Sequence, residues 1–128
     1  MISKMEHVAI IVTDMDRSIQ FYSEIFGFKV RLRGSNPNRE MAFIYLESQL
    51  DMEIELIRDL KFLGEYSDKG IVNHLAFTVT NIDETIQYLK KKGIEFPADG
   101  VKPTLEGGRM ILFPGPDQEL LQLVERAK

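Results

Sequence analysis

The sequence predicts an α+β fold made of two tandem βαβββ modules. Three observations predict it. The chain matches itself at an offset of 67 residues. Each copy opens on an alternating, β-branched segment that runs into helical spacing, and each closes on three short strand-like segments.

At that offset HVAIIVTDMDRSIQ (7–20) falls on HLAFTVTNIDETIQ (74–87), and seven of the fourteen pairs are identical. Average residue usage predicts about one chance identity over that length. The same offset sets MAFIYL (41–46) on GRMILF (108–113), and EIELI (53–57) on LLQLV (120–124). His7 therefore pairs with His74, and Glu55 with Gln122.

Residues 5–13 alternate as a strand with one covered face does. Asp14 or Asp16 can cap the next helix, where Ile19, Tyr22, Ile25 and Phe26 recur at helical spacing. Gly27 suits the residue just past its end. Strands are expected over 28–33, 41–47 and 51–58, with 34–40 (GSNPNRE) a loop of turn formers. The second copy repeats the order: strand 72–80, helix 83–92 ending at Gly93, then strands near 94–96, 109–114 and 119–126. Lys90, Lys91 and Lys92 read as a solvated last turn, favoured at a helix C-terminus. The link 59–71 carries Gly64 and Gly70 and bounds the modules, while Phe62 and Leu63 suggest that it packs down. The result is one domain over 1–128, with module 1 at about 1–60 and module 2 at about 71–128.

Alternate side chains of a strand take opposite faces. Val8, Ile10 and Val12 then lie opposite His7, and Met52, Ile54 and Leu56 opposite Glu55. Leu75, Phe77 and Val79 lie opposite His74, and Leu121 and Leu123 opposite Gln122. The two helices cover the apolar faces, which leaves the four polar residues on the uncovered sides. Two such sheets facing each other would form a cleft with those residues inside.

Composition narrows the function. The chain is 44% hydrophobic and 28% charged, ordinary for a globular protein with its own core. With no cysteine, disulfides, thiolate zinc sites and cysteine nucleophiles are excluded, which fits a reducing cytoplasm. A net charge of −4 with no long basic run argues against a nucleic-acid partner. No apolar run has the length of a membrane span, and the first residues lack a signal-peptide layout. The expected partner is a small molecule.

Imidazole nitrogen and carboxylate oxygen are good ligands for zinc, nickel, cobalt, manganese or iron(II). A single strand histidine is a packing or surface residue more often than a ligand. Here both histidines of the chain share one repeat position, and Glu55 and Gln122 share another, so His7, Glu55, His74 and Gln122 read as a metal set. Gln122 is the weakest ligand type of the four, and structural hydrogen bonding is its alternative. Two imidazoles, one carboxylate and one amide leave coordination sites for water or substrate. Arg109, the repeat partner of Ala42, is assigned cleft parity, for a substrate anion or a surface salt bridge. Phe43, Tyr45 and Met110 read as packing residues, and Glu53, Glu119 and Glu125 as solvated charges.

MEHVAIIVTDMDRSIQFYSEIFGFKV, EIELI, VNHLAFTV and FPGPDQELLQLVE together resemble the vicinal oxygen chelate superfamily, over essentially the whole chain. The likeness is greatest to bacterial glyoxalase I and its relatives. It implies a lyase or isomerase that converts the hemithioacetal of a 2-oxoaldehyde and a thiol to a 2-hydroxyacyl thioester, acting as a homodimer. In that family a divalent metal binds the substrate oxygens while a ligand Glu moves the proton, a role that falls on Glu55. Gln122 stands where the family usually has a second Glu. Ile11 and Asp59 stand where that family has the Arg and Asn that bind glutathione, which weakens the case for glutathione and leaves a different thiol, or a different substrate altogether, open. The same platform also serves epimerases, ring-cleaving dioxygenases, fosfomycin thiol transferases and non-catalytic drug-binding resistance proteins.

Overall fold

The computed structural model describes residues 6–61, 74–104 and 107–127. The chain divides into two compact units, Met1–Ile71 and Val72–Lys128, each with its own sheet and helix. The α+β class and the βαβββ order are those expected from the repeat.

The first unit runs β1 (His7–Ile11), α1 (Met15–Phe26), β2 (Lys29–Ser35), β3 (Arg39–Leu46) and β4 (Gln49–Asp59). Its strands lie in the order β1-β4-β3-β2, with β1 parallel to β4 and the other pairs antiparallel. A parallel neighbour needs a crossover, and α1 supplies it. Asp14 starts that helix by accepting the Arg17 N–H at 3.0 Å. Gly27 ends it at φ 82°, where a side chain would be strained. The buried Met15, Ser18 and Tyr22 of α1 sit on the side of the sheet that carries Ala42, Ile44, Ile54 and Leu56. Tyr22 meets Phe28 edge-on at 6.0 Å.

The second unit runs β5 (Leu75–Thr78), α2 (Ile82–Lys91), β6 (Lys102–Pro103), β7 (Arg109–Pro114) and β8 (Leu120–Glu125), in the order β5-β8-β7-β6. Asn81 caps α2, accepting the Glu84 N–H at 3.1 Å. Ile82, Ile86 and Leu89 are buried, as are Ile111, Phe113, Leu121 and Leu123.

Three expectations change. Residues 34–40 are not all loop: β2 and β3 run into them, and only 36–38 remain. The Asn36 amide oxygen accepts the N–H groups of Asn38 and Arg39, at 2.9 and 3.0 Å, and so closes a tight hairpin. Residues 94–96 form no strand; β7 pairs instead with the two-residue β6. Phe96 packs its ring on Phe113 at 5.1 Å, and the chain turns at Gly100 with φ 66°. The strand expected over 72–80 ends at Thr78 and is described from Leu75; residues 72 and 73 lie outside the described residues. Phe62, Leu63, Gly64 and Gly70 lie outside the described residues. Among the described residues, no helix is long and apolar enough to cross a membrane.

Two features of the fold yield tests. A Cβ on Gly108 would stand 2.3 Å from the Glu125 backbone oxygen, a contact with no flexible end to give way. Gly108→Ala is expected to cost about 2–4 kcal/mol in urea unfolding. Arg33 pairs with Asp16 at 2.8 Å and with Glu40 at 2.9 Å, and Arg58 joins Glu40 at 3.1 Å. The Arg33 hydrogen bond, foremost, holds the Glu40 carboxyl below its ordinary value of 4.5. A depressed folded-state value stabilises the fold above the ordinary carboxylate range, and that contribution is lost as pH falls below 4.5 through the lower folded value. The thermal midpoint should fall over that acid window, and Glu40→Gln should flatten the fall.

Candidate metal centre

Both sheets follow the same division of faces. In β1 and β4 the register pairs are His7 with Glu53, Val8 with Ile54 and Ala9 with Glu55. Paired residues point to one side, so His7, Ala9, Glu53 and Glu55 share the face opposite the buried Ile54 and Leu56. In the second unit Ala76 pairs with Gln122, opposite the buried Leu121 and Leu123, and His74 immediately precedes β5 in alternation with Ala76. The equivalent Ala9 and Ala76 present only a methyl group beside the oxygen donors Glu55 and Gln122.

Each unit thus carries a histidine and a side-chain oxygen donor at equivalent repeat positions on the sheet face away from its helix. His7 and Glu55 belong to the first unit, and His74 and Gln122 to the second. Among the described residues, no three His, Cys, Asp or Glu side chains are grouped to hold a metal ion. The donor types nevertheless fit a divalent ion of the zinc, nickel, cobalt or manganese kind. His7 Nδ1 lies 3.2 Å from the Glu6 carboxylate. With the proton assigned to Nδ1, that contact leaves Nε2 as the ring's lone-pair donor, as a carboxylate partner does for a ligating imidazole.

The first unit places more on this face than the sequence suggested. Phe43 pairs in register with Glu55, and Tyr45 with Glu53, so neither lies under α1. The Phe43 ring meets His7 edge-on at 5.8 Å. Glu53 is not a solvated charge. Its side chain is 15% exposed and takes a two-pronged ion pair from Arg31. Arg31 was not among the sequence candidates. Glu53 was signalled by its spacing from Glu55, but no periodicity signals Arg31, because the β2–β3 register shifts between Val30 and Leu32. Ile11, where a thiol-binding arginine would stand, is 45% exposed.

Arg109 requires a correction. Its repeat partner Ala42 is fully buried on the helix-covered side, and Arg109 alternates with the buried Ile111 and Phe113. Its guanidinium pairs with Asp83 in the first turn of α2 at 3.0 Å and with Glu125 at 3.1 Å. The Glu125 carboxylate also accepts the Ile82 N–H at 2.7 Å, so it is no solvated edge charge. Both pairings hold Arg109 more firmly charged, the Glu125 hydrogen bond foremost. Glu119 braces the hairpin between β7 and β8 by accepting the Asp117 N–H at 2.8 Å. A cavity of about 360 Å³ lies at the first turn of α1 beside Arg33, Glu40 and Arg58. It belongs to the helix side, and its charges pair with one another.

Residues 6–113 match the family model for the Glyoxalase/Bleomycin resistance protein/Dioxygenase superfamily. The chain is 30% identical over 128 residues to "Uncharacterized protein YwbC" of Bacillus subtilis, covering 98% of this chain and 100% of that one. It is 27% identical over 150 residues to a lactoylglutathione lyase of Schizosaccharomyces pombe, covering 98% of this chain and 48% of that protein. The crystal structure of a glyoxalase family protein from Enterococcus faecalis is similar at a TM-score of 0.79 and 30% identity, covering 95% of this chain and 97% of that one.

The corrected place of Arg109 and Glu125 predicts a stability phenotype. Glu125→Ala removes the acceptor of the Ile82 N–H and one of the two carboxylates paired with Arg109, and should cost about 1–3 kcal/mol in chemical denaturation. Metal content after refolding should match the wild type.

Proposed function

This chain belongs to the Glyoxalase/Bleomycin resistance protein/Dioxygenase superfamily, and from that premise we propose that it is a glyoxalase I-like lyase. It converts the hemithioacetal of a 2-oxoaldehyde and a thiol to a 2-hydroxyacyl thioester. One observation carries the reading: histidine and oxygen donor recur at the same repeat positions, on the helix-free sheet face of each unit. His7, Glu55, His74 and Gln122 would hold one divalent ion, of nickel, cobalt, zinc or manganese. When bound, the ion polarises the substrate's adjacent oxygens and acidifies the C–H between them.

Glu55 is the one carboxylate of the four and acts as the base. It removes the proton from the carbon bearing sulfur and returns it to the neighbouring carbonyl carbon. The hydroxyl proton crosses to the former ketone oxygen, so the change is an isomerisation with no net loss of atoms. Gln122 is neutral and does not titrate, so it positions and leaves proton transfer to Glu55. Glu6, 3.2 Å from His7 Nδ1, would favour the tautomer that leaves Nε2 to the ion. The same reading takes a homodimer, which light scattering checks.

The deciding experiment is metal analysis of the purified protein. Stripped protein is then reconstituted with nickel, cobalt, zinc and manganese and assayed with methylglyoxal and a panel of thiols. His7→Ala and His74→Ala should lose metal. Glu55→Gln should lower kcat by about 10²–10⁴-fold, the usual worth of a positioned base. Metal bound at full occupancy without turnover of any thiol adduct would refute the reaction. Unaltered metal content in both histidine variants would refute the site.

A further inference from the structure

The first unit's open sheet face holds a side-chain cluster that proton transfer does not use. The register of β2 on β3 shifts between Val30 and Leu32, which takes Arg31 out of strand alternation. A bulge of this kind re-aims a side chain. The Arg31 guanidinium lies over the Phe43 ring, 5.1 Å from its centroid. It donates from Nε and Nη2 to the two Glu53 oxygens, the Nη2 bond at 2.8 Å. His7 also meets the Phe43 ring, and Glu53 stands opposite His7 in register, two residues before Glu55. Arginine, ring, histidine and both carboxylates thus form one continuous surface.

The pairing leaves part of the arginine unused. A guanidinium carries five N–H donors, and the Glu53 pair takes two. The edge formed by Nη1 and the second Nη2 hydrogen remains, and the side chain is 51% exposed. That edge matches a second carboxylate in two-pronged geometry. Stacking on Phe43 and anchoring by Glu53 hold the fork in place before any ligand arrives, which lowers the entropy lost on binding. Strands two places apart in a sheet are separated by about 10 Å, so the fork lies within one small molecule's length of Glu55.

We propose that Arg31 is a specificity-determining residue that binds a carboxylate carried by the thiol portion of the substrate, with Glu53 and Phe43 positioning it. The assignment of the carboxylate to the thiol portion rests on the lyase reading above. The selectivity of Arg31 for a carboxylate does not.

The test compares methylglyoxal adducts of 3-mercaptopropionate and 2-mercaptoethanol, which differ in a carboxylate, on metal-loaded protein. Wild type should favour the acid by about tenfold or more in kcat/KM, as one charge-assisted pair provides. In Arg31→Gln the preference should shrink towards one through KM, and Arg31→Lys should restore part of it. A preference that survives in Arg31→Gln overturns the proposal, as does a loss in kcat equal for both adducts. A second arm needs no turnover: NMR titration with 3-(methylthio)propionate and 2-(methylthio)ethanol, with far-UV circular dichroism confirming the variant's fold. Selective, Arg31-dependent binding of the acid without turnover supports the anchor while the lyase reading fails. Equal binding of acid and alcohol by wild type overturns the anchor, whatever the activity.

Discussion

A four-stranded sheet with one helix against it can bury only one face, and this constraint arranges the rest of each unit. Helix packing claims the side of Ala42, Ile44, Ile54 and Leu56 in one unit, and of Ile111, Phe113, Leu121 and Leu123 in the other. Strand alternation then delivers every intervening residue to the opposite side. His7, Glu55 and Gln122 stand where they do because their neighbours one residue away are committed to the core.

The helix sides show how the two copies diverged. In the first unit Glu40 joins Arg33 and Arg58, and Arg33 reaches Asp16 in the first turn of α1. In the second, Glu125 stands at the position equivalent to Arg58, with the charge reversed. It pairs with Arg109 and accepts an N–H from the first turn of α2. Each unit therefore ties its helix start to its sheet with an arginine–carboxylate network, in which the helix aspartates Asp16 and Asp83 are repeat equivalents while the arginines come from different positions. A carboxylate at a helix N-terminus also opposes the positive end of the helix dipole. Arg109 is explained by this network, and a substrate role for it would remove a member of that brace.

The open faces diverged further. Glu53, Phe43 and Arg31 add charge and an aromatic surface around His7, while the equivalent positions of the second unit are Leu120, Met110 and Ala98. One unit thus carries charge and an aromatic ring beside its donors, the other apolar residues.

By itself the sequence determined the βαβββ order, a first helix start at Asp14 or Asp16, the end of α1 at Gly27, and the faces of His7, Glu55 and Gln122. All of these follow from local chemistry or strict alternation, which a chain carries without knowing its neighbours. Tertiary structure alone decided three other things. The 34–40 segment pairs up to Ser35 and from Arg39 because Asn36 folds a hairpin that strands on both sides can extend. Arg109 pairs with Asp83 and Glu125 because α2 and β8 lie beside β7, which nothing in its own strand signals. Arg31 reaches Glu53 because a bulge breaks the period from which its face would have been read, and a bulge is a property of two paired strands, not of either one.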